Sequence, residues 1–311
     1  MAKRNPIRNV FETALTRLGF LIVPFFPRTL VVVLARFFGT AAFLFSGQMR
    51  RLGRTNLDIA FGDTKTRAEK DAILRRSFQS FALVLLDTFW FFRHTAKRIA
   101  RHVQFAPCYE QVLFREKRLI CVTAHYGNWE ILGMAITWRG FPLHSVAKPL
   151  KNEVVDRLFI EARHKTGQKI VKREGAVRTL LRILQQNGKI ALVMDQNTRL
   201  YEGGIFFPFF GLPASFASTA AALALKTKTD IAMCMIRPGP NGIYQAHYCT
   251  ETPVEPFLAM EPAVATTALT RRIIEEMETF IRNEPEFWLW TYKRWKYIPD
   301  GENPSRYPYY A

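Results

Sequence analysis

The stretch Leu119-Ile-Cys-Val-Thr-Ala-His125-Tyr-Gly-Asn-Trp-Glu130 sets an imidazole at the end of an apolar run and a carboxylate five residues later. On one continuous helix these side chains would point about 140° apart, given 3.6 residues per turn. Gly127 and Asn128 interrupt that continuity, and a turn there lets His125 and Glu130 fold together. An imidazole held through one nitrogen by a carboxylate presents its other nitrogen as a base. Such a base takes the proton of a substrate hydroxyl as that oxygen attacks a carbonyl, and no nucleophilic side chain is needed. The competing reading is structural: a satisfied histidine at a strand end beside a helix-capping glutamate.

A frame of alternating helices and strands positions the pair. Thr66-x-x-Glu69 reads as a capping box opening a helix that runs to about Arg93. Phe78, Phe81, Leu85, Phe89 and Phe92 recur along it at three and four, as a core face or a lipid-facing one. Apolar runs at 119–124, 142–147, 189–194, 231–236 and 243–248 predict strands. Helical patterns near 130–138, 153–166, 175–186, 215–227 and 262–283 lie between and after them. This alternation predicts an α/β fold with helices on the faces of a sheet, where reactive groups gather at strand carboxyl ends. His125 and Asp195 each directly follow an apolar strand run, so they can share one rim.

The Ala-His-Tyr-Gly-Asn-Trp-Glu string resembles the H-x4-D/E motif of glycerolipid acyltransferases, in the Glu variant of the lipid A late (lauroyl and myristoyl) acyltransferase family. Lys148-Pro-Leu-Lys-Asn-Glu-Val-Val-Asp156, Arg163 with Gly167, and Gly188-Lys-Ile-Ala-Leu-Val-Met-Asp195-Gln196 resemble that family's next blocks in order and spacing. Phe206-Phe-Pro-Phe-Phe210-Gly211-Leu-Pro213-Ala214 and Pro285-Glu-Phe-Trp-Leu-Trp290-Thr-Tyr-Lys-Arg-Trp295-Lys complete a similarity that spans roughly residues 55–297.

The resemblance implies a mixed sheet flanked by helices and an enzyme moving a fatty acyl group from an acyl carrier protein thioester to a hydroxyl. The acceptor would be a phosphorylated glycolipid, most simply a lipid A precursor, at the cytoplasmic face of a bacterial inner membrane. His125 would be the base and Glu130 would orient it. Lys148 and Arg163 match positions where a cation meets phosphate or the tetrahedral intermediate; read alone, they fit an exposed basic helix face equally well. Asn128 either donates to the developing oxyanion or shapes the turn. Asp195 and Gln196 either position the acceptor sugar or brace the site, and Phe210 with its neighbours lines an acyl channel or packs the core. Acylation of another lipid hydroxyl and a non-catalytic membrane-binding protein are the alternatives.

Composition narrows the partners. The 311 residues are 49% hydrophobic and 23% charged, with a formal charge of +18. That charge demands an anionic partner: nucleic acid, a membrane surface or a phosphorylated substrate. Basic residues are spread along the chain among Phe and Trp, which favours a membrane surface, and no nucleic-acid-binding signature is present. Cys108, Cys121, Cys234 and Cys249 show no C-x-x-C pairing, so reduced thiols are expected. No zincin, nucleophile-elbow or P-loop string occurs, and neither a metal nor a cofactor is expected.

Residues 1–54 read as a membrane-anchoring segment and 55–311 as the acyltransferase domain. The first segment holds nine basic residues (Lys3, Arg4, Arg8, Arg17, Arg28, Arg36, Arg50, Arg51, Arg54) against one acid, Glu12. Residues 29–47 are long enough to span a bilayer, but Arg36 lies near the middle. Ten Leu, Val and Phe contribute about −3 to −6 kcal/mol to insertion, against about +2.5 to +3.5 for a central arginine. Insertion is marginal. Helices lying in the interface are therefore expected, broken at Pro24 and Pro27, with a single span as the second choice.

Overall fold

The computed structural model describes residues 6–147, 149–308 and 310. Its helices are α1 (Pro6–Ile22), α2 (Arg28–Phe45), α3 (Gly47–Phe61), α4 (Arg67–Trp90), α5 (Thr95–His102), α6 (Pro107–Val112), α7 (Trp129–Trp138), α8 (Glu153–His164), α9 (Ala176–Gln185), α10 (Thr219–Thr227) and α11 (Pro262–Asn283). Its strands are β1 (Val103–Phe105), β2 (Leu119–Thr123), β3 (Leu143–Ala147), β4 (Lys169–Lys172), β5 (Lys189–Val193), β6 (Gly204–Phe209), β7 (Leu212–Ala217), β8 (Ile231–Pro238) and β9 (Tyr244–Thr252).

Seven strands form one sheet in the order β1-β9-β8-β2-β5-β3-β4, parallel throughout except between β8 and β9. The mixed α/β architecture is as expected. β2 and β8 are unbroken apolar runs because both of their faces are covered. Cys121 and Cys234 sit in them as buried free thiols.

One core layer joins α7 to the N-terminal helices through Val31, Ala35, Leu83, Ile131, Leu132 and Ile136. The opposite layer packs Leu180, Leu184, Ala220, Leu223, Ile273 and Met277 of α9, α10 and α11 against the other face.

The capping box forms as written: Thr66 Oγ1 accepts from Glu69 N at 3.3 Å, and Thr66 N donates to Glu69 Oε2 at 2.7 Å. The helix it opens ends at Trp90. The N-terminal helices cover part of its aromatic face, with Phe43 of α2 meeting Phe78 at 5.9 Å and Phe20 of α1 meeting Phe89, and Phe92 just beyond the helix, at 4.9 and 4.7 Å; Leu85 stays exposed. α2 lies along α4 through Arg28, Val31, Ala35, Gly39 and Phe43. A side chain at Gly39 would overlap the Gln79 backbone, so glycine permits this close approach.

The boundary expected at residue 54 falls inside α3. Arg54 pairs there with Asp71 of α4 at 2.7 Å, and buried Asn56 donates to the carbonyls of Trp290 and Tyr292, each at 2.7 Å. The helix expected from residue 215 begins at Thr219, because residues 212–217 pair with β6 in a hairpin. Phe210 and Gly211, at φ +53° and +79°, make its two-residue turn.

Candidate active site

β2 and β5 run parallel in register to Thr123–Val193, which delivers His125 and Asp195 to the same rim. His125 Nδ1 lies 2.7 Å from Asp195 Oδ1, and the His125 backbone N–H donates to Asp195 Oδ2 at 2.9 Å. Trp288 Nε1 donates to the same oxygen at 2.8 Å. Asp195 is 3% exposed, and its oxygens are taken by these three donors. Gln196 Nε2 stands 3.2 Å from His125 Nε2, the nitrogen left facing the cavity.

This arrangement corrects the expected role of Glu130. Its two oxygens accept from Arg163 Nε and Nη2, both at 2.8 Å, in a fork-to-fork ion pair. The turn between His125 and Glu130 does form, but it opens α7 with Glu130 aimed at α8 rather than at the imidazole. Asp195, 70 residues away in sequence, is the carboxylate that holds His125. Burial pulls the His125 pKa down, yet the charge of Asp195, its hydrogen bond and then the charge of Glu130 carry it above the ordinary histidine value. Burial likewise works against ionised Asp195 and Glu130, and is overcome by His125 for the first and Arg163 for the second. Both carboxyls end below their usual range.

The turn is built for one backbone path. Gly127 sits at φ +53°, and a Cβ there would fall on the Ile236 carbonyl oxygen. Asn128 is 1% exposed. Its Oδ1 caps α7 by accepting from Ile131 N at 3.1 Å, and its Nδ2 donates to Tyr244 Oη at 2.9 Å. Asn128 therefore shapes the turn and is not free to meet an oxyanion. The C-terminal segment clasps the same turn from outside. Gly127 N donates to Phe287 O at 2.9 Å, Leu289 N to His125 O at 3.1 Å, and Ser77 Oγ to Trp288 O at 2.5 Å.

A cavity of about 670 Å³ opens beside His125, lined among others by Trp129, Glu130, Arg163, Leu180, Leu192 and Gln196. It lies where the sheet splits. β3 and β5 pair only as far as Ser145–Ala191, while β2–β5 continues to Val193 and β3–β4 to Ala147. Phe210 is not on its wall. It is 5% exposed in the core, stacked on Trp288 at 6.4 Å, and so supports the indole that holds Asp195. Both oxygens of buried Asp195 are hydrogen-bonded within the site. Lys148 lies outside the described residues.

Sequence reasoning missed Trp288, although its block was noticed. It also missed Asp87, the carboxylate in the apolar second half of α4, which accepts from Arg28 Nη2 at 3.1 Å and from Tyr244 Oη at 2.5 Å.

The description "bacterial lipid A biosynthesis acyltransferase" belongs to the family profile that matches residues 3–297. The chain is a member of that family. A lipid A biosynthesis acyltransferase of Haemophilus influenzae is 22% identical over 258 residues, covering 82% of this chain and 80% of that protein. The lipid A biosynthesis palmitoleoyltransferase of Escherichia coli is 22% identical over 280 residues, covering 89% and 88%. A phosphatidylinositol mannoside acyltransferase of Mycobacterium tuberculosis is 29% identical over 106 residues, 33% of each chain. Membership makes this chain an O-acyltransferase.

Proposed function

We propose that this protein transfers a fatty acyl chain from an acyl carrier protein thioester to a hydroxyl of a lipid A precursor, with His125 as general base. The observation that carries this reading is the His125–Asp195 pair opening onto a cavity of about 670 Å³ whose lining mixes apolar side chains with the Arg163–Glu130 pair. With Nδ1 bonded to Asp195, Nε2 keeps its lone pair for the acceptor hydroxyl, which displaces the Gln196 amide. The acceptor oxygen attacks the thioester carbonyl while its proton passes to Nε2. Asp195 stabilises the imidazolium, with Glu130 adding negative charge nearby. As the tetrahedral intermediate collapses, the C–S bond breaks and the thiolate takes the proton back. Arg163 fixes Glu130, and its cationic fork at the cavity wall suits a phosphate or the developing oxyanion.

The exposed apolar side chains of α1 and α2 support an interfacial seat on the membrane. Phe11, Leu21, Phe37 and Phe45 are each more than 60% exposed, as is Phe25 between the two helices. α2 is long and apolar enough to cross a bilayer. Crossing would strip its buried stripe from α4, whose Gln79 also donates to Thr40 at 2.9 Å. Lying in the interface keeps both sets of contacts. The +18 charge suits an anionic cytoplasmic leaflet, a phosphorylated acceptor and an acidic carrier.

The test is turnover against pH with a carrier-linked donor. His125→Ala should lose about two to four orders of magnitude with folding intact. Because a base must be unprotonated, wild-type kcat/KM should rise with pH through the elevated His125 pKa. Asp195→Asn should be slower and should move that limb to lower pH. Near-wild-type turnover in His125→Ala would end the base assignment.

A further inference from the structure

Building on the acyl-transfer reading, we infer that the cavity holds two hydrocarbon chains at once, one on each face of the sheet. A chain of the bilayer-borne acceptor lies on the α7 side, and the donor's acyl chain lies on the α9 side.

The split between β3 and β5 makes this possible. Beyond Ser145 and Ala191 no ladder joins these strands, so one cavity reaches both faces of the sheet. Strand residues alternate between faces. One lobe is therefore lined by Leu132, Gly133, Ile136, Leu143, Ser145 and Gln168, beneath α7. The other is lined by Val146, Ala176, Leu180, Leu192, Met194 and Ala220, beneath α9 and α10. His125 lines the same cavity, as required if a hydroxyl on one chain is to meet a thioester on the other.

Two observations assign the lobes. First, the α7 layer is the one that carries the N-terminal helices. Trp129 stacks on Phe81 of α4 at 6.5 Å, Phe159 of α8 meets Phe20 of α1 at 6.3 Å, and Asn152 donates to Thr13 at 3.0 Å. A lipid leaving the bilayer beside α1 and α2 reaches this lobe first.

Second, the two linings differ chemically. Gln168 is 5% exposed, its Nε2 donates to Ser145 Oγ at 2.8 Å, and its Oε1 has no partner among the described residues. If the amide is turned over, Nε2 becomes the orphan instead, so a group that both donates and accepts fits either way. A buried orphan of this kind is disfavoured against a plain hydrocarbon chain, which leaves it unpaired. A glycolipid arm with a hydroxyl or an amide N–H along it can donate to the orphan oxygen. The six α9-side residues named above present only hydrocarbon and a thioether, which suits an unsubstituted donor chain.

The test fills each lobe separately and reads chain preference. Full-length protein in micelles is given saturated carrier-linked donors of stepped chain length and a purified phosphorylated glycolipid acceptor. On the α9 side, Leu180→Trp and the milder Ala220→Val should shift the preferred donor to shorter chains while acceptor KM holds. On the α7 side, a Cβ at Gly133 would stand 2.8 Å from Gln168 Nε2. Gly133→Ala and Gly133→Leu should raise acceptor KM by about ten-fold or more, the scale of a methylene misfit in an apolar pocket, with donor order unchanged.

If the Gly133 variants reorder the donors and the α9-side variants raise acceptor KM, the assignment is reversed and the inference fails. If both sets move the same parameter, the cavity holds one chain and the inference fails. Neither result touches the base assignment, which is read from His125→Ala turnover at a single chain length.

Discussion

Two arginine–carboxylate pairs flank the His125 turn, and they do different work. Arg28–Asp87 is sealed, with side chains 8% and 0% exposed, and Asp87 also accepts from Tyr244 Oη. Arg28 Nε donates to Gly242 O at 3.0 Å, and its guanidinium lies 4.9 Å from the Trp90 ring centre. Arg163–Glu130 is 16% and 22% exposed and lines the cavity. Both pairs are bidentate and both touch the segment from His125 to Glu130, the sealed one through Asn128. Access separates them. A pair that no substrate reaches can only hold architecture, here the attachment of α2 and α4 to the turn. A pair on the cavity wall is available to chemistry.

The largest effect should come from breaking the sealed pair. Asp87→Leu strands a buried guanidinium and should destabilise the fold by about 3–5 kcal/mol, read as a fall in the denaturant midpoint. A loss below about 1 kcal/mol would place this variant with ordinary surface substitutions and erase the contrast between the pairs. Next in size is the cavity pair. Arg163→Lys keeps the charge and loses the fork, and should cost about ten- to a hundred-fold in kcat/KM, the value of one charge-assisted hydrogen bond. Arg182→Lys, on the exposed side of α9, should cost nothing measurable. Equal tolerance at 163 and 182 would reduce Arg163 to a surface cation.

The same contrast explains what the sequence made legible. β2, β5 and β8 announced themselves because strands covered on both faces are unbroken apolar runs, and the parallel register of β2 and β5 follows from their alternation with helices. That was enough to put His125 and Asp195 on one rim. It was not enough to choose between Asp195 and Glu130 as the partner of the imidazole. The choice depends on Arg163, which the β3–α8–β4 crossover brings to Glu130 from 33 residues away. β4 went unseen because it is a four-residue edge strand with a lysine at each end. Trp288 was visible as part of a block but had no readable role, since a tryptophan is as good in a core as at a carboxylate. Asp87 left one mark, a carboxylate among Leu83, Val84 and Trp90, where an unpaired charge would be prohibitive.

The smallest effect bears on the outer surface of the helix that the sealed pair anchors. Arg36 is exposed midway along α2, between Val33 at 58% and Phe37 at 64% exposure. Its two possible environments predict opposite signs. In an interfacial helix Arg36 faces lipid headgroups, and Arg36→Gln should weaken binding to anionic vesicles by about 1 kcal/mol, close to five-fold, with the difference fading as salt is added. In a spanning helix the same arginine sits near the bilayer centre at a cost of about 2.5–3.5 kcal/mol, so replacing it should tighten membrane association and leave it insensitive to salt. Co-sedimentation of the full-length protein with vesicles of increasing anionic content separates the two. Tighter, salt-independent binding by the variant would mean that α2 leaves α4 to cross the membrane. The Arg28–Asp87 pair would then have to open with it, and the sealed pair would be a latch between two states of the protein instead of a fixed brace.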